Sequence, residues 1–364
     1  MTSNQQIGIG IIGTGFARTT QIPAFQACPG ARIVTIASGK RENAERVAAE
    51  FGIPEVADDW RGVVRHEEVD LVCISTPPST HHEIAIAALE AGKHVLCEKP
   101  LAMNAKEADK MRQSARMFGR LALVDHELRF LPGRLRAYEL VQGGALGVIR
   151  HVKLTFRYDK RASAEQRWDW WSDEKMGGGI LGAVGSHGID AFRWILGTEV
   201  AQVFAQFATH LKERQDANGG KRFVTTDDEC NLLLRFKDSE LTPGTTGAMA
   251  LSSVEAGAPE HRLEIYGAEG ALLVEGNGEL WRAAVGANAW EPVRFDLGDI
   301  APGIKPSGWA RGFTAFSRLI IETLQSGETK LPGAATFEDG HLTQQVLDAA
   351  RHSHEQGCWV RPGK

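Results

Sequence analysis

No apolar run in the chain approaches the roughly 20 residues needed to cross a bilayer as a helix, so no membrane span is expected. No Cys-x-x-Cys pair occurs. The five cysteines (Cys28, Cys73, Cys97, Cys230 and Cys358) are odd in number and widely spaced, a pattern that fits reduced thiols better than a disulfide framework. Cys73 and Cys97 lie in apolar, strand-like runs, where buried thiols are expected. Positive charge is not in excess. The 41 Lys and Arg against 46 Asp and Glu leave a formal net charge of −5, which gives no long-range attraction for nucleic acid or an anionic membrane surface. Met1 to Gln6 has neither the basic nor the apolar region of a signal peptide. There is no internal repeat. Together these absences point to a cytoplasmic, reduced protein without nucleic-acid or membrane partners.

What is present is the balance of a folded globular chain, 43% hydrophobic and 24% charged. Its 364 residues exceed one ordinary core, so two domains are expected. Up to about residue 125 short apolar runs alternate with helical spacing. Strands are predicted at Ile7 to Ile12, Arg32 to Ala37, Leu71 to Ser75, His94 to Cys97 and Leu121 to Val124. Helices are predicted at Pro23 to Ala27, Glu42 to Phe51, Ile84 to Ala91 and Ala105 to Phe118. Thr80-x-x-Glu83 has the pattern of a capping box, and Gly92 is placed to end the same helix. Strands alternating with helices imply a parallel, doubly wound sheet.

Beyond residue 125 the strand-like segments lengthen and alternate: Ile149 to Tyr158, Val200 to Ala208, Glu229 to Phe236, Thr246 to Val254, His261 to Tyr266 and Ala271 to Glu275. Helices are expected at Gly179 to Leu196, Ala310 to Ser326 and Phe337 to Gln356, with Asp216 to Lys221 a polar loop and Gly286 to Pro306 irregular. The fold class is therefore α/β, a parallel sheet over 1–125 and a mainly antiparallel sheet over 126–364.

Gly8-x-Gly10-x-x-Gly13 matches a dinucleotide fingerprint literally, but Gly8 and Gly10 fall inside the first strand. The loop that holds a pyrophosphate must follow the strand and open the helix. Gly13-Thr14-Gly15-Phe16-Ala17-Arg18 does so, with Arg18 at the usual third glycine. This is the expected cofactor loop of a Rossmann domain. At the end of the second strand an NAD site usually carries Asp or Glu for the ribose. Here Ser38-Gly39-Lys40-Arg41 offers a hydroxyl and two cations instead. These suit a 2′-phosphate, so NADP(H) is expected first and NAD(H) second.

Cys97-Glu98-Lys99-Pro100 ends a further strand at the carboxyl edge of the sheet. With Gly13-Thr14-Gly15, Thr76-Pro77-Pro78, Ala91-Gly92-Lys93-His94-Val95, Arg129-Phe130-Leu131-Pro132 and Gly177-Gly178-Gly179-x-Leu181, it resembles the Gfo/Idh/MocA oxidoreductases. The similarity continues through His187-x-x-Asp190, Leu196-Gly197, Ile265-Tyr266-Gly267-x-x-Gly270 and Phe337-Glu338-Asp339-Gly340.

The resemblance implies a second domain whose open sheet walls the substrate site and often joins subunits, hence a homo-oligomer (dimer or tetramer). It implies catalytic roles for Lys99, beside the nicotinamide ribose and a substrate hydroxyl, and for His187, which removes the hydroxyl proton. Thr76, Pro77, His81 and Glu98 join the cofactor loop as expected cofactor-binding residues. Many family dehydrogenases carry an Asp one helical turn before the histidine to orient it. Here that position is Ala183, and Asp190 is the partial substitute.

Arg129, Tyr158, Trp170 and Asp190 are expected to bind a carbohydrate or polyol substrate. Within Trp168-Asp169-Trp170-Trp171 the three indoles cannot all face one ligand. His81-His82 and His352-x-His354 lack a completing carboxylate or cysteine, so no metal is expected. The expected activity is hydride transfer between NAD(P) and a secondary alcohol carbon of a sugar, cyclitol or related polyol. Two alternatives stand beside it. One is transient sugar oxidation by tightly held NAD, leading to glycosidic-bond cleavage. The other is a non-catalytic dinucleotide or sugar sensor.

Overall fold

The computed structural model describes residues 6–363. Most of the polar start, Met1 to Gln5, on which the absence of a leader was argued, lies outside them. Contacts group the chain into two compact units, Met1–Leu131 with Gly298–His341 and Pro132–Leu297 with Leu342–Lys364.

The first unit holds six parallel strands: β1 (Ile7–Ile12), β2 (Ala31–Ala37), β3 (Glu55–Val56), β4 (Leu71–Ile74), β5 (His94–Cys97) and β6 (Ala122–Val124). They lie in the order β3-β2-β1-β4-β5-β6, the doubly wound arrangement expected. Its helices are α1 (Ile22–Gln26), α2 (Arg41–Phe51), α3 (Trp60–Arg65), α4 (His81–Glu90) and α5 (Ala105–Phe118). Every residue of β1 and β4 is buried, as a parallel sheet covered on both faces requires. Asn104 caps α5 by accepting from the Glu107 N–H at 3.0 Å, and Gly119 ends it in the left-handed conformation. The Thr80-x-x-Glu83 capping box does not form. The Thr80 hydroxyl lies 2.7 Å from Thr76 Oγ1 and donates to the Pro77 carbonyl, while Glu83 pairs with Arg61.

The second unit holds α6 (Pro132–Gln142), β7 (Ile149–Arg157), α7 (Ser186–Leu196), β8 (Val200–Ala208) and a small hairpin of β9 (Glu213–Gln215) and β10 (Lys221–Phe223). It continues with β11 (Glu229–Phe236), β12 (Thr246–Ser252), β13 (Glu260–Gly267), β14 (Gly270–Glu275), β15 (Leu280–Ala284) and β16 (Glu291–Val293). The large sheet runs β16-β15-β14-β13-β7-β12-β11-β8. Only the β7–β12 pair is parallel. Along β11, Cys230, Leu232, Leu234 and Phe236 are buried while the residues between them face out or are half-buried, the period-2 signature of a half-covered sheet.

The sequence pattern alone assigns residues 126–364 to the second domain. The contacts return Gly298–His341 to the first unit instead. Within that segment α8 (Gly308–Gln325) buries Phe313, Phe316, Ile320 and Ile321 in one cluster with Ile9, Phe25 and Leu71. The backbone around Thr336 bridges β6 at Leu123, and the Val124 N–H donates to the Ala335 carbonyl at 2.9 Å. This covers a sheet edge that would otherwise be open to pairing. The division runs through α9 (Phe337–Gln356), whose first turn belongs to the first unit. No helix among the described residues is long and apolar enough to cross a membrane.

Candidate active site

The loop after β1 has the geometry the sequence implied. Gly13 has φ +107°, and a Cβ there would strike the Ser75 carbonyl. Only glycine makes this turn so close to β4. Gly15 faces open space, with no atom within 4 Å of where a Cβ would stand, so a phosphate can approach its backbone. Gly8 and Gly10 lie in β1, where a Cβ would meet the Glu68 carbonyl and Val63; they serve packing. Thr14 is half-buried and Ala17 fully buried. Phe16 sets its ring edge-on to Phe313 of α8 at 6.1 Å. Arg18 turns outward to Glu50 at 2.6 Å, which explains why an arginine is tolerated at the third glycine position. Residues Ala17–Gln21 form one wide π turn before α1. The loop thus fits a dinucleotide pyrophosphate.

At the end of β2, Ser38 is half-buried and Lys40 exposed. Arg41 is not the open cation expected there. It opens α2 and pairs with Glu45 at 2.8 Å and with Asp58. Two carboxylates share its charge, while its side chain stays half-exposed.

His81, expected to bind cofactor, is fully buried. Its Nδ1 faces the Pro100 carbonyl at 3.1 Å and its Nε2 the Thr76 carbonyl at 2.9 Å. Burial pushes its pKa down, with the two carbonyls pulling the other way. The ring therefore ties the Thr76-Pro77 loop to the Lys99-Pro100 turn and has no surface to offer a ligand. Glu98 directly follows β5, 8% exposed, and accepts from the Lys99 N–H at 3.3 Å. Lys99 is half-buried, its Nζ 3.8 Å from Glu98 Oε2. Burial pushes the Glu98 carboxyl up, and the Lys99 ammonium opposes that.

Arg129 does not stand ready for substrate. It is 5% exposed, donates to Asp339 at 3.0 Å and faces the Gly333 carbonyl at 3.4 Å. Its role is to fasten the turn Glu127–Phe130 to the start of α9. Two further buried polar residues belong to no sequence motif. Gln21 and Asp125 are fully buried, and the Gln21 amide donates to both Asp125 and Glu98. Asp125 directly follows β6, the carboxyl end of a parallel strand, and that position was the signal available.

In the second unit His187 lies at the start of α7, 3% exposed, and Asp190 three residues on is buried too. The glycines before α7 are steric necessities. A Cβ on Gly178 would strike the Trp171 carbonyl, and one on Gly179 (φ +100°) would strike Asp227. Asp227, another residue without a local sequence signal, accepts from the Leu181 N–H at 2.6 Å and so fixes the entry to α7. Gly188 brings α7 against Leu154 of β7 and Met249 of β12. Ala183, one turn before His187, is half-buried and supplies no carboxylate.

Tyr158 follows β7 directly, half-buried and edge-on to Phe156 at 5.3 Å. Burial raises its phenol pKa. Of the three indoles, Trp168 stacks under Arg222 at 3.3 Å and Trp171 lies under Arg161 at 5.0 Å. Trp170 is the exposed one, at 38%.

Comparison with known proteins agrees with this geometry. A family model described as an oxidoreductase family with an NAD-binding Rossmann fold matches residues 7–126, and one for the GFO/IDH/MocA C-terminal domain matches 135–273. Glucose-fructose oxidoreductase domain-containing protein 2 of Xenopus laevis is 32% identical over 97% of this chain and 92% of its own. The chain belongs to the Gfo/Idh/MocA oxidoreductase family. Levoglucosan dehydrogenase of Pseudarthrobacter phenanthrenivorans is 31% identical, covering 74% of this family member and 73% of its own length. A solved levoglucosan dehydrogenase in complex with NADH and levoglucosan superposes with TM-score 0.87 at 26% identity, covering 99% of this chain and 100% of the other.

Proposed function

We propose that this oxidoreductase transfers a hydride between a nicotinamide dinucleotide and a secondary alcohol carbon of a sugar, cyclitol or related polyol. The observation that carries the proposal is Lys99. A half-buried ammonium stands at the carboxyl end of β5, on the sheet edge where the glycine loop after β1 also opens. The similarity to levoglucosan dehydrogenase supports a carbohydrate substrate.

When bound, the dinucleotide supplies the hydride acceptor or donor. Gly13 and Gly15 leave room for its pyrophosphate. Lys99 donates to the substrate oxygen and stabilises negative charge as it develops there. His187 takes the hydroxyl proton in oxidation and returns it in reduction. Tyr158, Trp170 and Asp190 hold substrate hydroxyls. For the cofactor we propose NADP(H) ahead of NAD(H), on Ser38 and Lys40 without Arg41. In this proposal the protein forms a homo-oligomer and works in the cytoplasm.

The test is a panel of sugars, inositols and their keto forms with each cofactor, followed by nicotinamide absorbance. Turnover is expected with at least one pair, and none with any pair refutes the proposal. The pairing of Arg41 with Glu45 and Asp58 favours a second reading, in which NAD stays tightly bound through a transient oxidation and glycosidic-bond cleavage. Stoichiometric dinucleotide released on denaturing the purified protein would select that reading.

A further inference from the structure

Behind Lys99 the first unit buries two carboxyl groups side by side. Asp125 has no exposed surface and Glu98 has 8%. One amide reaches both: Gln21 Nε2 donates to Asp125 Oδ2 at 2.8 Å and to Glu98 Oε1 at 3.2 Å. Glu98 Oε2 points the other way, toward the Lys99 N–H at 3.3 Å and Nζ at 3.8 Å. Asp125 Oδ1 is buried with no donor to meet it. An oxygen in that setting is better satisfied by carrying a proton than by carrying charge.

The surroundings point the same way. The groups facing the pair are Cys73 of β4, Cys97 of β5, Glu127 after β6, Gln21 and Lys99. Both thiols are pushed well up by burial. Lys99 is the one cation among these groups, and it lies on the Glu98 side. Two carboxylates in so dry a place repel, and one of them keeps its proton. Burial, followed by the charges of Glu127 and Glu98, raises Asp125 well above the usual carboxylate range. Glu98 is raised too, with Lys99 opposing.

We propose that Asp125 is a positioning residue for Lys99: as a neutral acid it donates its proton to Glu98, leaving one negative charge, on Glu98, opposite the lysine ammonium. This rests on the role given to Lys99 above. The shared proton and the Gln21 amide together hold the Glu98 carboxylate in one orientation. Glu98 Oε2 then fixes where the ammonium stands. Loss of the proton at high pH puts a second charge behind Glu98 and draws the ammonium away from substrate.

Infrared spectra test the protonation directly. The wild-type protein at pH 7 is expected to show the carbonyl stretch of a buried carboxylic acid that is missing in Asp125→Asn. Absence of that difference overturns the proposal. Asp125→Ala is expected to lower kcat roughly tenfold, the worth of one buried hydrogen bond, with KM unchanged. Asp125→Asn, which still donates, is expected to restore most of kcat and to abolish the alkaline fall in the pH profile. An alkaline fall identical to wild type in Asp125→Asn overturns the proposal. Should the variants not fold, absence of any acid band from the wild type at neutral pH overturns the proposal, and an acid band that persists in Asp227→Asn, another buried carboxyl raised by burial, supports it. Lys99→Met separates the two layers. Full turnover in that variant overturns the role of Lys99, and the positioning role with it, while the acid band persists. A missing band alone overturns the protonation of Asp125 and leaves Lys99 untouched.

Discussion

Phe313→Ala probes the assignment of α8 to the first unit. Phe313 has no exposed surface. Its ring meets those of Phe16, Phe25 and Phe316 edge-on, at centroid distances of 6.1, 5.6 and 6.3 Å. Truncating a buried phenylalanine to alanine costs about 3–5 kcal/mol through lost transfer energy and the cavity left behind. Edge-on aromatic pairs add about 0.5–1.5 kcal/mol each beyond their area, so the upper part of the range, roughly 4–5 kcal/mol, is expected. At about 2–4 °C per kcal/mol for a domain of this size, the unfolding temperature falls by on the order of 8–20 °C. Calorimetry measures it. Because Phe16 sits in the glycine loop, dinucleotide affinity measured by titration is expected to weaken in the same variant. A loss below about 1 kcal/mol, close to what surface substitutions cause, refutes the placement of α8 in this core.

Other substitutions separate structural from chemical roles. Arg129→Met removes the buried guanidinium from Asp339, which keeps its hydrogen bonds from Thr336; a stability loss of about 1.5–3 kcal/mol is expected by urea denaturation, the worth of a hydrogen bond to a charged group, with the KM of the remaining folded enzyme unchanged. His187→Asn is expected to lower kcat by about 10²–10⁴-fold, the usual contribution of general acid–base catalysis, with cofactor affinity by fluorescence titration unaltered. Lys40→Glu is expected to raise the KM for NADP(H) and leave that for NAD(H) nearly unchanged; equal effects on both sink the 2′-phosphate assignment.

Stability should also fall in acid through His261. Burial and Arg134, which donates to His261 Nε2 at 2.9 Å, hold its pKa down to about 3 against the usual 6.5. The unfolded chain therefore binds the extra proton first, and stability is lost as pH drops from about 6.5 toward 3. His261→Gln should flatten that part of the pH–stability curve.

The parallel sheet was legible because β1 and β4 are short and apolar and are stopped by Gly13 and by Ser75-Thr76-Pro77. The second sheet was legible because segments such as β11 alternate cleanly. Gly13 was legible too, since the turn after β1 demands it. The return of α8 to the first unit was not. An amphipathic helix announces that it has an apolar face, not which core receives it, and Phe25 and Phe313 are 288 residues apart.

Arg129 and Arg41 illustrate a related point. A cation near a strand end reads as a ligand for anions, whereas Asp339 meets Arg129 from 210 residues away and Asp58 meets Arg41 from 17. Asp227 likewise fixes Gly179 from 48 residues away. The Thr80 capping pattern failed locally, because a second hydroxyl, Thr76, lay within reach of the first.

The route of the chain constrains how it can be made. Leu131 leaves the ribosome well before His341, yet both belong to one unit. At about 5–20 residues per second, the roughly 210 residues between them take on the order of 10–40 s to synthesise. For that interval the sheet around Ile9, Phe25 and Leu71 lacks Phe313, Phe316 and Ile320, which complete its core. The nascent first unit therefore presents a sticky apolar face to whatever surrounds it. Slower translation, or a chain truncated before α8, prolongs the exposure. Expression yield in a host depleted of chaperones should depend on this delay more than on the final stability of the protein.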